Sequence, residues 1–295
     1  MQKILSEYLH ESPAVRGNLY RLLNHGKLSG TGKAIILPVD QGFEHGPDAS
    51  FMKNSEAYDP LYHLQLAVDA GVNGYAAPLG MLEVAACHAP GLIPMILKLN
   101  SSNSLKSKEN EPCQAITASV EDAIRLGAIG VGFTIYPGSD HCDSMLQEVQ
   151  DIFQVAKSLG LICIIWSYPR GAAIKNDTSL DVVAYGAHIG AITGAHIIKV
   201  KIPTNNGDKY SYSGIDTVAK RVEHIRKCAF NGRRIVLFSG GTAKDENLLL
   251  SEVEGIRDGG GNGSIVGRNL FQRPRKEAIE LVSKMVQIYK DNNDK

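Results

Sequence analysis

The sequence predicts a single closed (β/α)8 barrel, or TIM barrel, preceded by a short N-terminal helical extension. Eight short apolar, β-branched segments alternate with segments of helical periodicity. Thirty glycines suit a fold with many tight βα turns. No linker or break in composition divides the 295 residues. The extension is expected at 1–30 and the barrel, as the catalytic domain, at 31–295.

Residues 1–30 read as helical. Ile4, Leu5, Tyr8 and Leu9 fall on one face, and Leu19, Leu22 and Leu23 form a second stripe. These stripes are expected to cover the barrel bottom or a subunit contact. Residues 34–39 read as a buried strand running into Asp40-Gln41-Gly42. A helix near 60–70 leads to a strand at 74–77. A short helix at 81–88 leads to a strand at 95–99, with Lys98 within it. Helices at 120–126, 144–159, 180–192, 215–228 and 243–257 precede strands at 131–136, 161–167, 196–202, 234–239 and 264–266. A final helix runs from about 275 to 291. The longest irregular pieces, 100–114 and 204–214, are expected as a loop at the site face and an insertion.

Lysine plus arginine number 31, as do aspartate plus glutamate. This balance argues against broad binding of nucleic acid or an anionic membrane, yet permits one local basic pocket. The five cysteines are scattered, odd in number and without a CxxC pair, which argues for a reducing compartment, the cytoplasm. No signal peptide is expected, and no apolar run approaches the ~18 residues of a membrane span.

The chemistry centres on His196-Ile197-Ile198-Lys199-Val200-Lys201-Ile202. Alternation along a strand puts Lys199 and Lys201 on one face. Burying two ammonium groups together is costly. A second ammonium at about 6 Å, across an effective dielectric of about 20, disfavours the charged form by roughly 2.8 kcal/mol, about two pH units. Desolvation acts in the same direction, so one lysine becomes an amine nucleophile towards carbonyls. Alternatively, one lysine pairs with a carboxylate and the other reaches solvent at the strand end.

In such a barrel the site lies at the C-terminal ends of the strands. Those ends supply Asp40, Lys98, Tyr136, Trp166, Tyr168, Lys199, Lys201, Ser239-Gly240-Gly241 and Gly267-Arg268. Asp40 either serves the site or caps the next helix. Lys98 is either a catalytic partner or a structural cation. Ser239, Gly240 and Gly241 end the seventh strand; alone they read as a tight turn, but with Gly267 and Arg268 ending the eighth they mark the usual place for a phosphate. Trp166 and Tyr168 should both face the barrel. The pair either packs the core or serves the site, the phenol of Tyr168 to transfer a proton and Trp166 to exclude water. The nine histidines show no metal-ligand spacing, so neither a metal nor another cofactor is expected. His45 is the histidine nearest the inferred site.

The runs ILPVDQGFEHGP (36–47), LKLN (97–100), IIWSYPRG (164–171), IIKVK (197–201), FSGG (238–241) and VGRN (266–269) carry a resemblance. In this order they resemble the class I fructose-bisphosphate aldolases of archaeal type, the DhnA family, over about residues 19 to 283. The resemblance implies a metal-independent lyase that forms a Schiff base on Lys199 and cleaves fructose 1,6-bisphosphate reversibly, in glycolysis and gluconeogenesis. It implies roles for Asp40, Tyr168 as proton shuttle and Trp166, and phosphate contacts at Ser239, Gly240, Gly241, Gly267 and Arg268. The position of Lys201 is more variable in the family; here it is expected to depress the pKa of Lys199. A phosphosugar substrate and a homo-oligomer, a pentamer or decamer, are implied as partners. Gln41, where archaeal members tend to carry histidine, and the insertion at 205–213 resemble the bacterial branch. Relatives on this scaffold include other Schiff-base aldolases, transaldolase-like synthases and a thiolase, so another phosphorylated ketose is the alternative substrate.

Overall fold

Eight parallel strands close on themselves in the computed structural model: β1 (Ala34–Pro38), β2 (Gly74–Ala77), β3 (Met95–Lys98), β4 (Gly130–Ile135), β5 (Ile162–Ser167), β6 (Ile197–Lys201), β7 (Ile235–Ser239) and β8 (Gly263–Ile265). Each strand pairs with its sequence neighbours, and β1 closes the ring on β8 with Ala34 opposite Gly263. The structure describes residues 1–88, 90–106, 110–204, 210 and 212–291.

The alternation of side chains sorts the core into two layers. Ile36, Ala76, Ile96, Ile164, Trp166, Ile197, Leu237 and Ile265 fill the barrel interior. Their neighbours, such as Ile35, Leu97, Val131, Ile165, Ile198 and Val236, pack outward against the surrounding helices. Helices Pro60–Ala70, Cys142–Ser158, Leu180–Ile192, Val218–Cys228, Glu246–Asp258 and Arg275–Lys290 contribute to that outer layer. The interior accommodates a tryptophan because β4 carries Gly132 beneath its ring. A Cβ there would overlap the Trp166 ring, so the indole takes the volume of the missing side chain.

The N-terminal segment plugs the bottom of the barrel. Ser12 caps the helix Pro13–Leu23 by accepting from Val15 N (3.2 Å), and Pro13 supplies a preset φ at its first turn. Leu19, Leu22 and Leu23 are buried against the interior layer, each burial contributing about 1.5–3 kcal/mol. The Tyr8 hydroxyl donates to His196 O (2.6 Å) and accepts from Ile235 N (3.0 Å), tying the segment to β6 and β7. Leu9 departs from the expected stripe. It is 67% exposed, because the short 3-10 turn Ser6–Tyr8 breaks the helical phase before it.

Beside this plug, Glu11 reaches His196 Nε2 and Lys157 Nζ, both at 3.0 Å. His196 Nδ1 accepts from Cys163 N (2.8 Å), so Nε2 carries the proton and turns it to the Glu11 side of the ring. Burial keeps the imidazole neutral by lowering its pKa. The close approach of His196, aided by Lys157, holds the Glu11 carboxyl down at about 2, below its ordinary 4.5. A depressed carboxyl pKa contributes stability that is present above the unfolded pKa and lost as pH falls through the folded one. Glu11→Gln should therefore cost about 1–2 kcal/mol at pH 7. Urea unfolding should show the gap between variant and parent shrinking as pH falls below about 4.5; a constant gap down to pH 3 would contradict this role.

Short elements escape the sequence pattern. Helices Gln41–His45, Pro47–Phe51 and Arg268–Phe271 follow β1 and β8. The expected irregular loop at 100–114 opens and closes with an antiparallel ribbon, Asn100–Ser101 against Ala115–Ile116. Most of the expected insertion, 205–209 and 211, lies outside the described residues.

Candidate active site

A cavity of about 550 Å³ opens at the C-terminal ends of the strands. Lys199 lies at its floor. It alternates with Ile198 and Val200, which point outward, so its side chain enters the barrel and is only 3% exposed. Its ammonium lies 5.6 Å from the centre of the Trp166 ring and 5.2 Å from that of Tyr168. The register places Trp166 directly beside Lys199 on the neighbouring strand. The indole is buried beneath the cavity, whereas Tyr168 lines it.

Lys98 is the second buried ammonium of this floor. It enters from β3, is 3% exposed, and lies 5.8 Å from the same indole. Its Nζ donates to Asn100 O and to Asn100 Oδ1 (2.9 Å). Asn100 is fixed in turn through Thr134 N (2.7 Å) and Thr134 O (2.8 Å). Burial pushes the Lys98 pKa down to about 8, against the pull of Asp40 and Glu44, and the positive charge of Lys199 adds to the fall.

Lys201 shares the face of Lys199, as alternation requires, and lines the cavity, but it is ion-paired with Asp177 in the loop after β5. Its charge is thereby compensated. Lys98, from a strand three positions away, faces the Lys199 floor with no ion pair among the described residues, whereas Lys201 is paired. Asp40 occupies the N-cap position of Gln41–His45 with no side-chain capping bond, and it lines the cavity. Its carboxylate is thus presented to the site and does not serve the helix.

The anion-binding end is built from two loops. Ser239, Gly241, Gly267 and Arg268 line the cavity. Gly240 does not: it is buried, and its N–H donates to Ile265 O (3.3 Å) in the barrel ladder. Gly267 must be glycine, since a Cβ would stand 2.8 Å from both Pro38 O and Gln41 Nε2. Asn269 joins the two loops. Its Nδ2 donates to Thr242 O (3.0 Å) and Gly240 O (3.3 Å), and its Oδ1 accepts from Lys244 N (2.9 Å). Lys244 is committed to Glu252 (2.8 Å). No carboxylate pairs with Arg268 among the described residues.

On the other side of Lys199, Arg170 follows β5. Its guanidinium lies 5.5 Å from the Tyr168 ring and 5.1 Å from the Tyr136 ring, and 3.4 Å from Glu44. Gln114 Nε2 donates to the Tyr136 hydroxyl (2.5 Å), whose pKa burial raises to about 12. His45 also lines the cavity, 3.8 Å from Glu44. Among the described residues no three His, Cys, Asp or Glu side chains are grouped to hold a metal ion.

Residues 34–273 match the DeoC/LacD family of aldolases. The chain belongs to this aldolase family. It is 39% identical over 258 residues to the class 1 fructose-bisphosphate aldolase of Thermoproteus tenax, covering 87% of this chain and 89% of that one. The probable class 1 fructose-bisphosphate aldolase of Chlamydia muridarum is 33% identical over 295 residues, covering 93% and 84%. An archaeal fructose-1,6-bisphosphate aldolase has been solved with its catalytic lysine covalently bound to the carbinolamine intermediate of the substrate. It superposes with a TM-score of 0.78 at 34% identity, covering 97% of this aldolase and 99% of that chain.

Four residues of this aldolase site carry no strong sequence signal. Arg170 lies within the IIWSYPRG run and Asn269 within VGRN, but neither residue type at those positions dictates a role. Glu44 joins the site from the short helix Gln41–His45, and Gln114 from a loop. Lys98 had a signal, a lysine in a buried strand, of the same kind that marks Lys199.

Proposed function

We propose that the chain is a class I fructose-1,6-bisphosphate aldolase, cleaving its substrate reversibly to dihydroxyacetone phosphate and glyceraldehyde 3-phosphate. The observation that carries this reading is a buried lysine, Lys199, that lies against both the Trp166 indole and the Tyr168 phenol, between two cationic ends of one cavity.

The neutral Lys199 amine attacks the C2 ketone and gives a carbinolamine. Loss of water then leaves a protonated imine, which draws electrons from the adjacent bonds. Tyr168 takes the proton of the C4 hydroxyl, the C3–C4 bond breaks, and glyceraldehyde 3-phosphate leaves. The bond's electron pair forms an enamine, which is reprotonated at C3. Water hydrolyses the resulting imine, releasing dihydroxyacetone phosphate and restoring the amine. Asp40 positions substrate hydroxyls, and Trp166 shields the imine from water. In this reading Ser239, Gly241, Gly267 and Arg268 bind the C1 phosphate, and Arg170 meets the second phosphate. Binding energy gained at both phosphates is then available to orient the reacting bond. The same reading makes the enzyme a glycolytic and gluconeogenic homo-oligomer of the cytoplasm. Among the described residues no helix is long and apolar enough to cross a membrane.

Borohydride trapping with fructose 1,6-bisphosphate, in the presence of a chelator, tests the reading through peptide mass spectrometry. An adduct on Lys199 is expected. Trapping only with a different phosphorylated ketose would keep the chemistry and replace the substrate, and no adduct despite bound substrate would end the imine mechanism. Because Asn269 ties both phosphate loops together, Asn269→Ala should raise KM about tenfold while changing kcat little. Steady-state kinetics would show this, and an equal loss in kcat would contradict it.

A further inference from the structure

A second cavity, of about 350 Å³, lies at the opposite, N-terminal end of the barrel. Its wall is basic. Lys3, Lys33, Arg226, Arg233 and Arg234 line it, against Glu7 as the single lining carboxylate. Glu7 is committed to Arg233 at 2.8 Å. Among the described residues no carboxylate is ion-paired with Lys33, Arg226 or Arg234.

These cations are held in fixed positions by neutral groups. The Arg226 side chain leaves the helix Val218–Cys228 and enters room left by two glycines. A Cβ on Gly232 or Gly260 would stand 2.8 or 2.5 Å from its guanidinium nitrogens. The Arg234 guanidinium stacks between Tyr8 and Phe230, 5.6 and 5.4 Å from their ring centres. The Nε atoms of both arginines are buried and lack a hydrogen-bond acceptor. Lys33 Nζ donates to Gly261 O (2.6 Å), a neutral acceptor. Like charges fixed close together in a partly dry space repel, and an anion between them relieves the repulsion.

We infer that this basal cavity is a binding site for a small, multiply charged oxyanion, a polyphosphate or a polycarboxylate, held by Lys33, Arg226 and Arg234. The planar guanidinium groups suit bidentate oxygens, and the volume suits a small molecule. Lys33 directly precedes β1, Arg234 precedes β7, and Gly260 and Asn262 precede β8. A bound oxyanion would therefore join the entries of three adjacent strands. The site would be the same whatever reaction the upper cavity performs.

Lys33 supplies the reporter. Burial, with Arg226 and Arg257 nearby, lowers its pKa to about 8, so its amine should acylate readily. Acetic anhydride labelling of the wild-type chain, read by peptide mass spectrometry, would use inorganic pyrophosphate and citrate as probes. Either anion at about ten times its Kd should slow labelling of Lys33 about tenfold, while chloride at equal ionic strength should not. Protection by one probe alone supports the site and fixes its ligand class. Arg226→Gln should lose the protection while keeping turnover at the upper site. Unchanged Lys33 labelling with both anions at saturation overturns the inference, as does full protection in Arg226→Gln.

Discussion

Lys199→Met is expected to abolish borohydride trapping and to lower cleavage of fructose 1,6-bisphosphate by about 10⁴-fold or more. Methionine matches the length of lysine, and the side chain would lie among Trp166, Ile197 and Leu237, all apolar. The variant should therefore fold as the parent does, by near-ultraviolet circular dichroism. Without the amine no imine forms, and the phosphate loops retain only binding. Substrate affinity, measured by calorimetry, should persist. Trapping that survives in this variant and maps to Lys98 would transfer the nucleophile's role to the other buried lysine.

Lys98→Met should separate activity from stability. The folded pKa of Lys98 is about 8, against an ordinary 10.5, with burial as its main cause. A base whose folded pKa is lowered is penalised in its charged form. The penalty is full below pH 8, shrinks between 8 and 10.5, and vanishes above. Removing the charge should therefore stabilise the protein at pH 7 by about 1–2 kcal/mol, after allowing for the hydrogen bonds lost at Asn100. That gain should fade as pH rises from 8 towards 10.5. Turnover should fall by about 10²–10⁴-fold, because the ammonium facing the Lys199 floor and Asp40 is gone. Guanidinium titrations at several pH values, together with kinetics, check both arms. A variant less stable than its parent at pH 7 would show that Lys98 serves the fold.

Most of the barrel was legible because its signal is periodic. Each strand lies within a residue or two of its expected position, and the inward face of Lys199 follows from alternation alone. What the sequence hid depends on contacts between distant residues. The pairing of Lys201 with Asp177 crosses from strand to loop, so nothing in IIKVK reveals that this charge is satisfied. Gly240 reads like its neighbours in FSGG, but the ladder bond to Ile265 turns it away from the cavity. Lys98 and Lys199 meet through the closure of the barrel and the width of one indole, which the absent side chain of Gly132 permits. Two-residue strands and four-residue helices, such as Asn100–Ser101 and Arg268–Phe271, are shorter than any repeating pattern.

The Tyr8 hydroxyl that joins β6 to β7 also sets an order of assembly. Its partners lie 188 and 227 residues further along the chain. On a ribosome adding roughly 5–20 residues per second, those partners emerge on the order of ten seconds or more after Tyr8 does. Throughout that interval Leu19, Leu22 and Leu23 have no barrel interior to cover, and β1 has no β8 to close against. The nascent chain therefore exposes this apolar stripe well before the surface that covers it exists. Its exposure to misassociation is set by the speed of translation as much as by the stability of the finished fold.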